Sequence, residues 1–246
     1  MGAWSDFLVR PAAACRKIEV DNGQSETLHL GIFGPAGVTA YYGLVDIGQV
    51  TSKDTIIVSG AAGAVGSAAV QIAKHIIGCK RVIGIAGDDV KCRWAESLGA
   101  DTCLNYKSDT FEEDLKEATR GFVNVIYDNV GGKLLDLMLA RVAKFGRLIA
   151  CGLTAGYNTP EMGVVKNWYQ IIAMRVKLSG FVVLDLDADR WKEIVVNLGK
   201  AVAEGKLKAD ASGETIVATR FEDVPQTWME LFSGSARGKL ISRIES

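Results

Sequence analysis

The sequence predicts an α/β protein with a doubly wound parallel sheet of the Rossmann type and a small β subdomain formed by the two chain ends. From about residue 37 onward, apolar strand-like segments alternate with helix-like segments of about ten residues, which is typical of βαβ units. The first of these strands, Thr55–Ser59, runs directly into a glycine-rich turn and then into a helix. Both ends of the chain break this alternation with strand and turn character.

The elements are predicted in order along the chain. A helix over residues 39–50 precedes the first strand, and the helix after the glycine turn continues to about His75. Five further strands are predicted at residues 80–86, 101–105, 123–128, 146–151 and 177–184. The helices between them are predicted at residues 88–98, 110–118 and 134–142. Two late strands, at 214–219 and 239–244, are expected to pair with residues 1–33, because an isolated strand edge is unstable.

The glycine turn has the spacing of the dinucleotide fingerprint G-x-G-x-x-G, with Ala61 in the first position. Gly63 has no Cβ, so a pyrophosphate can approach the backbone, and Gly66 lets the helix pack closely on the strand. The first helical turn, with Ala64 and Val65, offers free N–H groups and the positive end of the helix dipole to phosphates. The turn predicts a nucleotide-dependent redox enzyme or a descendant of one.

Composition excludes several other classes. The formal net charge of −1 gives no reason to expect a nucleic-acid or membrane partner, and no window approaches the roughly 18 apolar residues of a membrane span. The chain start has neither the basic nor the apolar region of a secretory signal. Five cysteines without C-x-x-C spacing and two histidines make a zinc site hard to build, so we predict no metal. An odd number of cysteines without paired spacing favours reduced thiols, which are typical of the cytoplasm.

Six motifs that occur in order carry a family resemblance. They are VSGAAGAVGS (58–67), GIAGDDVK (84–91), LNYK (104–107), YDNVGG (127–132), CGLTAGYN (151–158) and GKLISRI (238–244). Together they resemble the zinc-free NADPH-dependent double-bond reductases of the medium-chain dehydrogenase/reductase superfamily, such as the prostaglandin, alkenal and curcumin reductases. The resemblance runs from about Gly2 to Ile244 and implies NADPH as the cofactor.

The resemblance also implies a domain organisation. In this family a GroES-like substrate domain precedes the dinucleotide domain. Residues 1–36 are expected to be a remnant of that substrate domain, 37–205 the dinucleotide-binding domain, and 206–246 the return to the β subdomain. Most of the substrate domain is therefore expected to be missing, through truncation or because a shortened protein forms its pocket in another way.

The tip of the second strand bears on cofactor choice. An NAD enzyme places an acid there for the ribose diol, whereas residues 86–87 are Ala and Gly, and the two aspartates that follow suit a helix N-cap. The resemblance implies that Lys91 and Tyr106 hold the 2′-phosphate of NADPH. Taken alone, Lys91 would be interpreted as a solvated helix charge and Tyr106 as a core residue.

Other candidate residues follow later strands. Asn129 directly follows the fourth strand at the carboxyl edge, where ligands bind in open α/β folds, although a plain Asn-Val-Gly-Gly turn is the alternative. Cys151 and Gly152 end the fifth strand beside the same crevice. Cys151 is expected to be a packed residue that borders the cofactor, because no basic neighbour in the sequence activates it.

The resemblance implies further cofactor contacts nearer the nicotinamide. Phe181 and Val182 resemble a segment whose backbone lies against the carboxamide, although core packing explains these apolar residues equally well. Gly238 resembles another cofactor contact, but Ala236 stands where the family usually has Asn.

The resemblance implies that Tyr157 lies by the nicotinamide and polarises or protonates the enolate. A phenol suits this role, because hydride addition to a β-carbon pushes charge onto the carbonyl oxygen. The predicted activity is NADPH-dependent reduction of α,β-unsaturated aldehydes or ketones. The alternatives are a catalytically weak NADPH-binding module and a zinc-free quinone reductase.

Two expectations concern apolar surfaces. An apolar set with helical spacing either lines a substrate pocket or belongs to the core or a dimer interface; its members are Trp168, Tyr169, Ile172 and Met174. The sixth strand is expected near a sheet edge, and such edges are covered or paired. Related reductases pair there across a two-fold axis, so the resemblance implies a homodimer.

Overall fold

The computed structural model describes residues 5, 7–12, 15, 18, 25–157, 164–209 and 213–245. Its strands are β1 (Thr55–Ser59), β2 (Arg81–Ala86), β3 (Thr102–Asn105), β4 (Val123–Asp128), β5 (Val142–Ala150), β6 (Lys177–Gly180), β7 (Glu214–Arg220) and β8 (Lys239–Glu245). Its α-helices are α1 (Pro35–Tyr42), α2 (Ala64–Gln71), α3 (Asp89–Ser97), α4 (Phe111–Ala118), α5 (Gly132–Leu139), α6 (Tyr169–Ala173), α7 (Ala188–Ala203) and α8 (Val224–Ser233).

The first six strands form one parallel sheet in the order β3-β2-β1-β4-β5-β6. This order confirms the predicted doubly wound sheet, and its direction reverses between β1 and β4. Ligands bind at this reversal point in open α/β sheets, outside the carboxyl ends of the strands. The structure therefore places the glycine turn after β1 directly beside Asn129 after β4.

Both faces of the sheet are covered, which explains why its strands read as apolar runs. Ile56 and Val58 of β1 face a core that also contains residues of α1, α2, α3 and α7. Ile57 faces the opposite core, together with Leu115 of α4 and Met138 of α5. Successive side chains of one strand thus alternate between two cores.

Several predicted boundaries are wrong. The helix predicted at 134–142 ends at Leu139, and the buried Val142 already begins β5. The helix predicted at 39–50 starts earlier, at Pro35, and changes after Tyr42 to the π-helical turn Gly43–Ile47. The sixth strand stops at Gly180, because a 3-10 turn, Val183–Asp185, follows it closely. The position of this strand at the sheet edge is confirmed.

The second sheet consists of β7 and β8, which run parallel in a register that pairs Glu214 with Lys239. Parallel strands need a crossover, and α8 supplies it. The small β unit thus comes from the C-terminal part of the chain. Within residues 1–33, the described stretch 25–33 contains the 3-10 helix Glu26–His29 in place of the expected strand character. The other residues expected to pair with β7 or β8 lie largely outside the described ones.

Candidate functional site

The two glycines of the turn have different roles. Gly63 is the N-cap of α2, and a Cβ placed on it would meet only the carbonyl oxygen of Gly60, at 3.3 Å. A Cβ on Gly66 would lie 2.0 Å from that same oxygen. Gly66 is therefore required for the turn to pack under α2, whereas Gly63 leaves its outer side open.

The first turn of α2 fits a phosphate group. No side chain caps this helix end, and the Gly63 N–H is used within the turn, on the Gly60 carbonyl at 2.9 Å. The N–H groups of Ala64, Val65 and Gly66 are the first of the helix, so they have no carbonyl one turn earlier inside it. An uncapped helix end with an open glycine in front of it can bind a pyrophosphate without moving a side chain.

A buried hydrogen-bond network joins β1 to β4 at the reversal point. The Ser59 hydroxyl donates to Asp128 Oδ1 at 2.7 Å and accepts from the Asn129 N–H at 2.8 Å. Asp128 also accepts from the N–H groups of Val130 and Gly131. Burial raises the pKa of the Asp128 carboxyl, although these donors act in the opposite direction. The network fixes the floor of the crevice.

Asn129 takes part in this floor. Its Nδ2 donates to the Ser59 carbonyl at 2.7 Å, and its own carbonyl accepts from the Thr154 N–H at 3.2 Å. Asn129 therefore ties the ends of β1, β4 and β5 together. A contact between this amide and a nicotinamide ribose stays a prediction. Sequence reasoning missed Ser59 and Asp128, whose signal is a pair of polar residues ending otherwise apolar strands.

Cys151 and Gly152 lie on the same floor. A Cβ on Gly152 would come within 2.8 Å of the Asn129 carbonyl, so a glycine allows this close approach. The half-buried Cys151 accepts a hydrogen bond from the Tyr127 hydroxyl at 3.4 Å. Burial raises the pKa of the Cys151 thiol. A thiol with a raised pKa is a poor nucleophile, in agreement with its interpretation as a packed residue.

The tip of β2 carries the other part of the candidate site. Asp88 caps α3 by accepting from the Lys91 N–H at 2.8 Å. The Lys91 ammonium donates to the Gly234 carbonyl, and burial lowers the pKa of this lysine. Tyr106 lies against Gly87 and is 47% exposed, so the core alternative for Tyr106 is excluded. Neither of these two side chains is part of the apolar core.

The C-terminal segment reaches the glycine turn. Gly238 forms a backbone bridge with Gly63, and its N–H donates to the Ala62 carbonyl at 2.9 Å. Gly238 has a φ of +62°, and a Cβ there would lie 1.8 Å from the Gly213 carbonyl oxygen. The structure thus brings Gly238, from the C-terminal segment, next to Gly63 at the start of α2.

The candidates nearer the predicted nicotinamide position are less enclosed. Tyr157 follows a 3-10 turn after β5 and is 66% exposed. Phe181 packs edge-on against Tyr42 with ring centroids 5.6 Å apart, while Val182 is exposed. Among the described residues, no group of three or more His, Cys, Asp or Glu side chains could hold a metal ion. No helix in the described ranges is long and apolar enough to cross a bilayer.

An open parallel sheet with an uncapped glycine turn at its reversal point defines a dinucleotide-binding domain of the Rossmann class. Comparison with known families agrees, since the family model of the zinc-binding dehydrogenases matches residues 64–200. The chain belongs to this family of oxidoreductases, within the medium-chain dehydrogenase/reductase superfamily. The resemblance to that superfamily is confirmed.

Individual relatives are similar over most of the chain. It is 36% identical to the putative NADP-dependent oxidoreductase YfmJ of Bacillus subtilis and 34% identical to the NADPH-dependent curcumin reductase of Escherichia coli, covering 98% of this chain and 70% of each relative. The crystal structure of CurA from Vibrio vulnificus in complex with NADPH matches 89% of this chain with a TM-score of 0.80 and 34% identity. The match spans 65% of the CurA chain.

Proposed function

We propose that this chain binds NADPH along the carboxyl edge of its sheet and acts in an NADPH-dependent reductase of conjugated carbon–carbon double bonds in aldehydes and ketones. One observation carries the proposal: the open, uncapped end of α2 lies beside a strand tip that presents Lys91 and Tyr106. Residues 86–87, at that tip, are Ala and Gly. The names of similar proteins support the same cofactor and substrate class.

The charges at the strand tip favour a phosphate over a free ribose hydroxyl. The acids nearest the tip are occupied elsewhere, since Asp88 caps α3 and Asp89 Oδ1 accepts from the Asn105 amide at 2.8 Å. The Lys91 ammonium bonds only a backbone carbonyl among the described residues. A 2′-phosphate can replace that carbonyl and gain a charge-assisted hydrogen bond.

Replacing Lys91 with alanine is therefore expected to reduce the preference for NADPH over NADH by roughly tenfold, the size of one charged hydrogen bond. The two dissociation constants are measured by fluorescence titration. Lys116→Ala, on the exposed face of α4, removes the same charge at a remote place and should leave the ratio unchanged. Equal affinity of the native chain for the two cofactors would contradict the assignment.

The catalytic part of the proposal concerns Tyr157. When bound, NADPH supplies a hydride from C4 of its nicotinamide. Tyr157 follows the segment whose Thr154 and Ala155 N–H groups bond the carbonyls of Asn129 and Val130. These bonds anchor the loop to the floor of the crevice, and we infer that the exposed phenol holds a proton for the developing enolate oxygen.

Tyr157→Phe should then lower turnover of an enone by about 10²-fold, a typical loss for general acid catalysis, with NADPH still bound. The assay follows NADPH absorbance with a panel of an alkenal, an enone and a quinone. Oxidation of NADPH by the quinone alone would assign a quinone reductase, and binding without any turnover would assign a binding module.

We also propose that the chain forms a homodimer through β6. This strand is an open sheet edge, and apolar side chains are exposed on it and next to it: Trp168, Tyr169, Ile172, Leu178, Val182 and Leu184. Met174 instead packs on the core. An open edge with exposed apolar flanks needs a cover, and a second copy supplies one. The cytoplasmic location and the boundaries at residues 36 and 205 stay predictions.

Light scattering is expected to give twice the chain mass of 26.4 kDa. Ser179→Pro removes a backbone donor from the middle of β6 and should shift the protein towards the monomer. A native chain that is monomeric at micromolar concentration would refute this assembly.

A further inference from the structure

Three cationic side chains lie around the tip of β2. Lys107 has its ammonium 5.8 Å from the centroid of the Tyr106 ring. Burial lowers the pKa of Lys91 most, the negative charge of Asp88 opposes this shift, and the positive charges of Lys107 and Arg237 add to it. Arg237 comes from a different part of the chain, directly before Gly238, and was not among the residues predicted from sequence.

The backbone holds Arg237 at this place. Its N–H donates to Thr215 Oγ1 at 3.0 Å, and the Thr215 hydroxyl donates to the Arg237 carbonyl at 2.8 Å. The next residue, Gly238, is bonded to the glycine turn, and Gly234 accepts from Lys91. The segment 234–238 is thus attached at both ends to the two parts of the nucleotide site.

No acid forms an ion pair with this cluster in the described part of the chain, although the negative charge of Asp88 acts on Lys91. None of the ion pairs there includes Lys91, Lys107 or Arg237, and the nearby Asp88 and Asp89 bond other partners. The Arg237 side chain is exposed. Because Arg237 is exposed and in none of these ion pairs, its charge is available to attract a bound anion.

We propose that Arg237 is a ligand of the 2′-phosphate of NADPH and, with Lys91, determines the preference for the phosphorylated cofactor. This inference rests on the proposed function and extends it. A guanidinium presents paired donors that match two phosphate oxygens, which an ammonium cannot do. The C-terminal segment thereby forms the second wall of the adenosine pocket, opposite α3.

The test uses adenosine 2′,5′-bisphosphate and AMP as probes, because they differ only in the 2′-phosphate and lack the nicotinamide. Calorimetric titration should show that Arg237→Ala weakens binding of the bisphosphate by roughly tenfold and leaves AMP binding unchanged. Arg237→Lys should restore part of the loss. Arg243→Ala removes the same charge from the exposed end of β8 and should change neither affinity.

The outcomes distinguish the proposed role of Arg237 from the proposed binding of NADPH. Native binding of the bisphosphate that Arg237→Ala does not change overturns the role of Arg237 and leaves the NADPH assignment intact. Equal weakening of both probes also overturns it, because the arginine then acts on the shared part of the ligand. Failure of the native chain to bind NADPH or the bisphosphate overturns the proposed function and this inference together.

Discussion

Gly66→Ala is expected to destabilise the protein by about 3 kcal/mol, at the upper end of the usual cost of overpacking. The added Cβ would lie 2.0 Å from the carbonyl oxygen and 2.7 Å from the carbonyl carbon of Gly60. These are backbone atoms of a turn that the Gly63 N–H also bonds, so no side chain can rotate away. Urea unfolding followed by circular dichroism measures the loss.

The matched variant is Gly63→Ala. Its Cβ would meet a single atom at 3.3 Å, and the φ of −85° and ψ of 174° suit an alanine. Its stability should stay within about 1 kcal/mol of the native value, while NADPH affinity falls because the methyl group occupies the open side of the turn. Equal destabilisation by the two substitutions would show that the glycines do not differ in role.

The sequence motif around Gly63 and Gly66 predicts the local structure of this part of the chain. The spacing of Gly63 and Gly66 predicts the turn and the start of α2, because every residue involved is close in sequence. The strands Thr55–Ser59 and Val123–Asp128 are predicted with their observed bounds for a similar reason. Each is an apolar run buried on both faces and bounded by polar or turn residues.

The missed elements have two causes. Helix α7 carries its own signals, since Asp187 caps it and Ile194, Leu198 and Ala201 recur on its buried face. It could have been predicted. Val142 could not be assigned in this way, because an apolar residue after a helical pattern fits the end of that helix as well as the start of a buried strand.

The connections that assemble the site were beyond local patterns. Ser59 and Asp128 are 69 residues apart, and Lys91 and Gly234 are 143 apart. Periodicity along the chain indicates which face of an element is apolar. It does not indicate which distant segments come together. The family resemblance predicts that Lys91 and Tyr106 hold the 2′-phosphate, and it makes no prediction for Arg237.

Substitution of Asp128 is expected to have the second large effect on stability. It is 2% exposed and accepts from the Ser59 hydroxyl, the Val130 N–H and the Gly131 N–H. Asp128→Ala would leave these donors without an acceptor in a buried place, with an expected loss of about 3 kcal/mol. Asp128→Asn keeps one carbonyl acceptor and should lose less.

The free energy of unfolding of the two variants should also depend on pH differently from that of the native protein. Burial raises the pKa of Asp128 above its ordinary value of 3.8, so the folded state binds this proton more tightly than the unfolded state does. The resulting stabilisation is fully present below the unfolded pKa and is lost as the pH rises through the folded pKa. The loss therefore lies on the alkaline side of 3.8.

Asparagine does not titrate, so Asp128→Asn should lack this loss, and its deficit relative to the native protein should shrink as the pH rises. Urea unfolding of the native chain and both variants, from about pH 4 to pH 8, measures the difference. Asp109→Asn, an exposed substitution on the surface before α4, is the control for the general effect of removing a carboxylate. A deficit of Asp128→Asn that stays constant across this range would show that the buried carboxyl keeps the same pKa in the folded and unfolded chain, and the network at the floor of the crevice would then owe its stability to the hydrogen bonds alone.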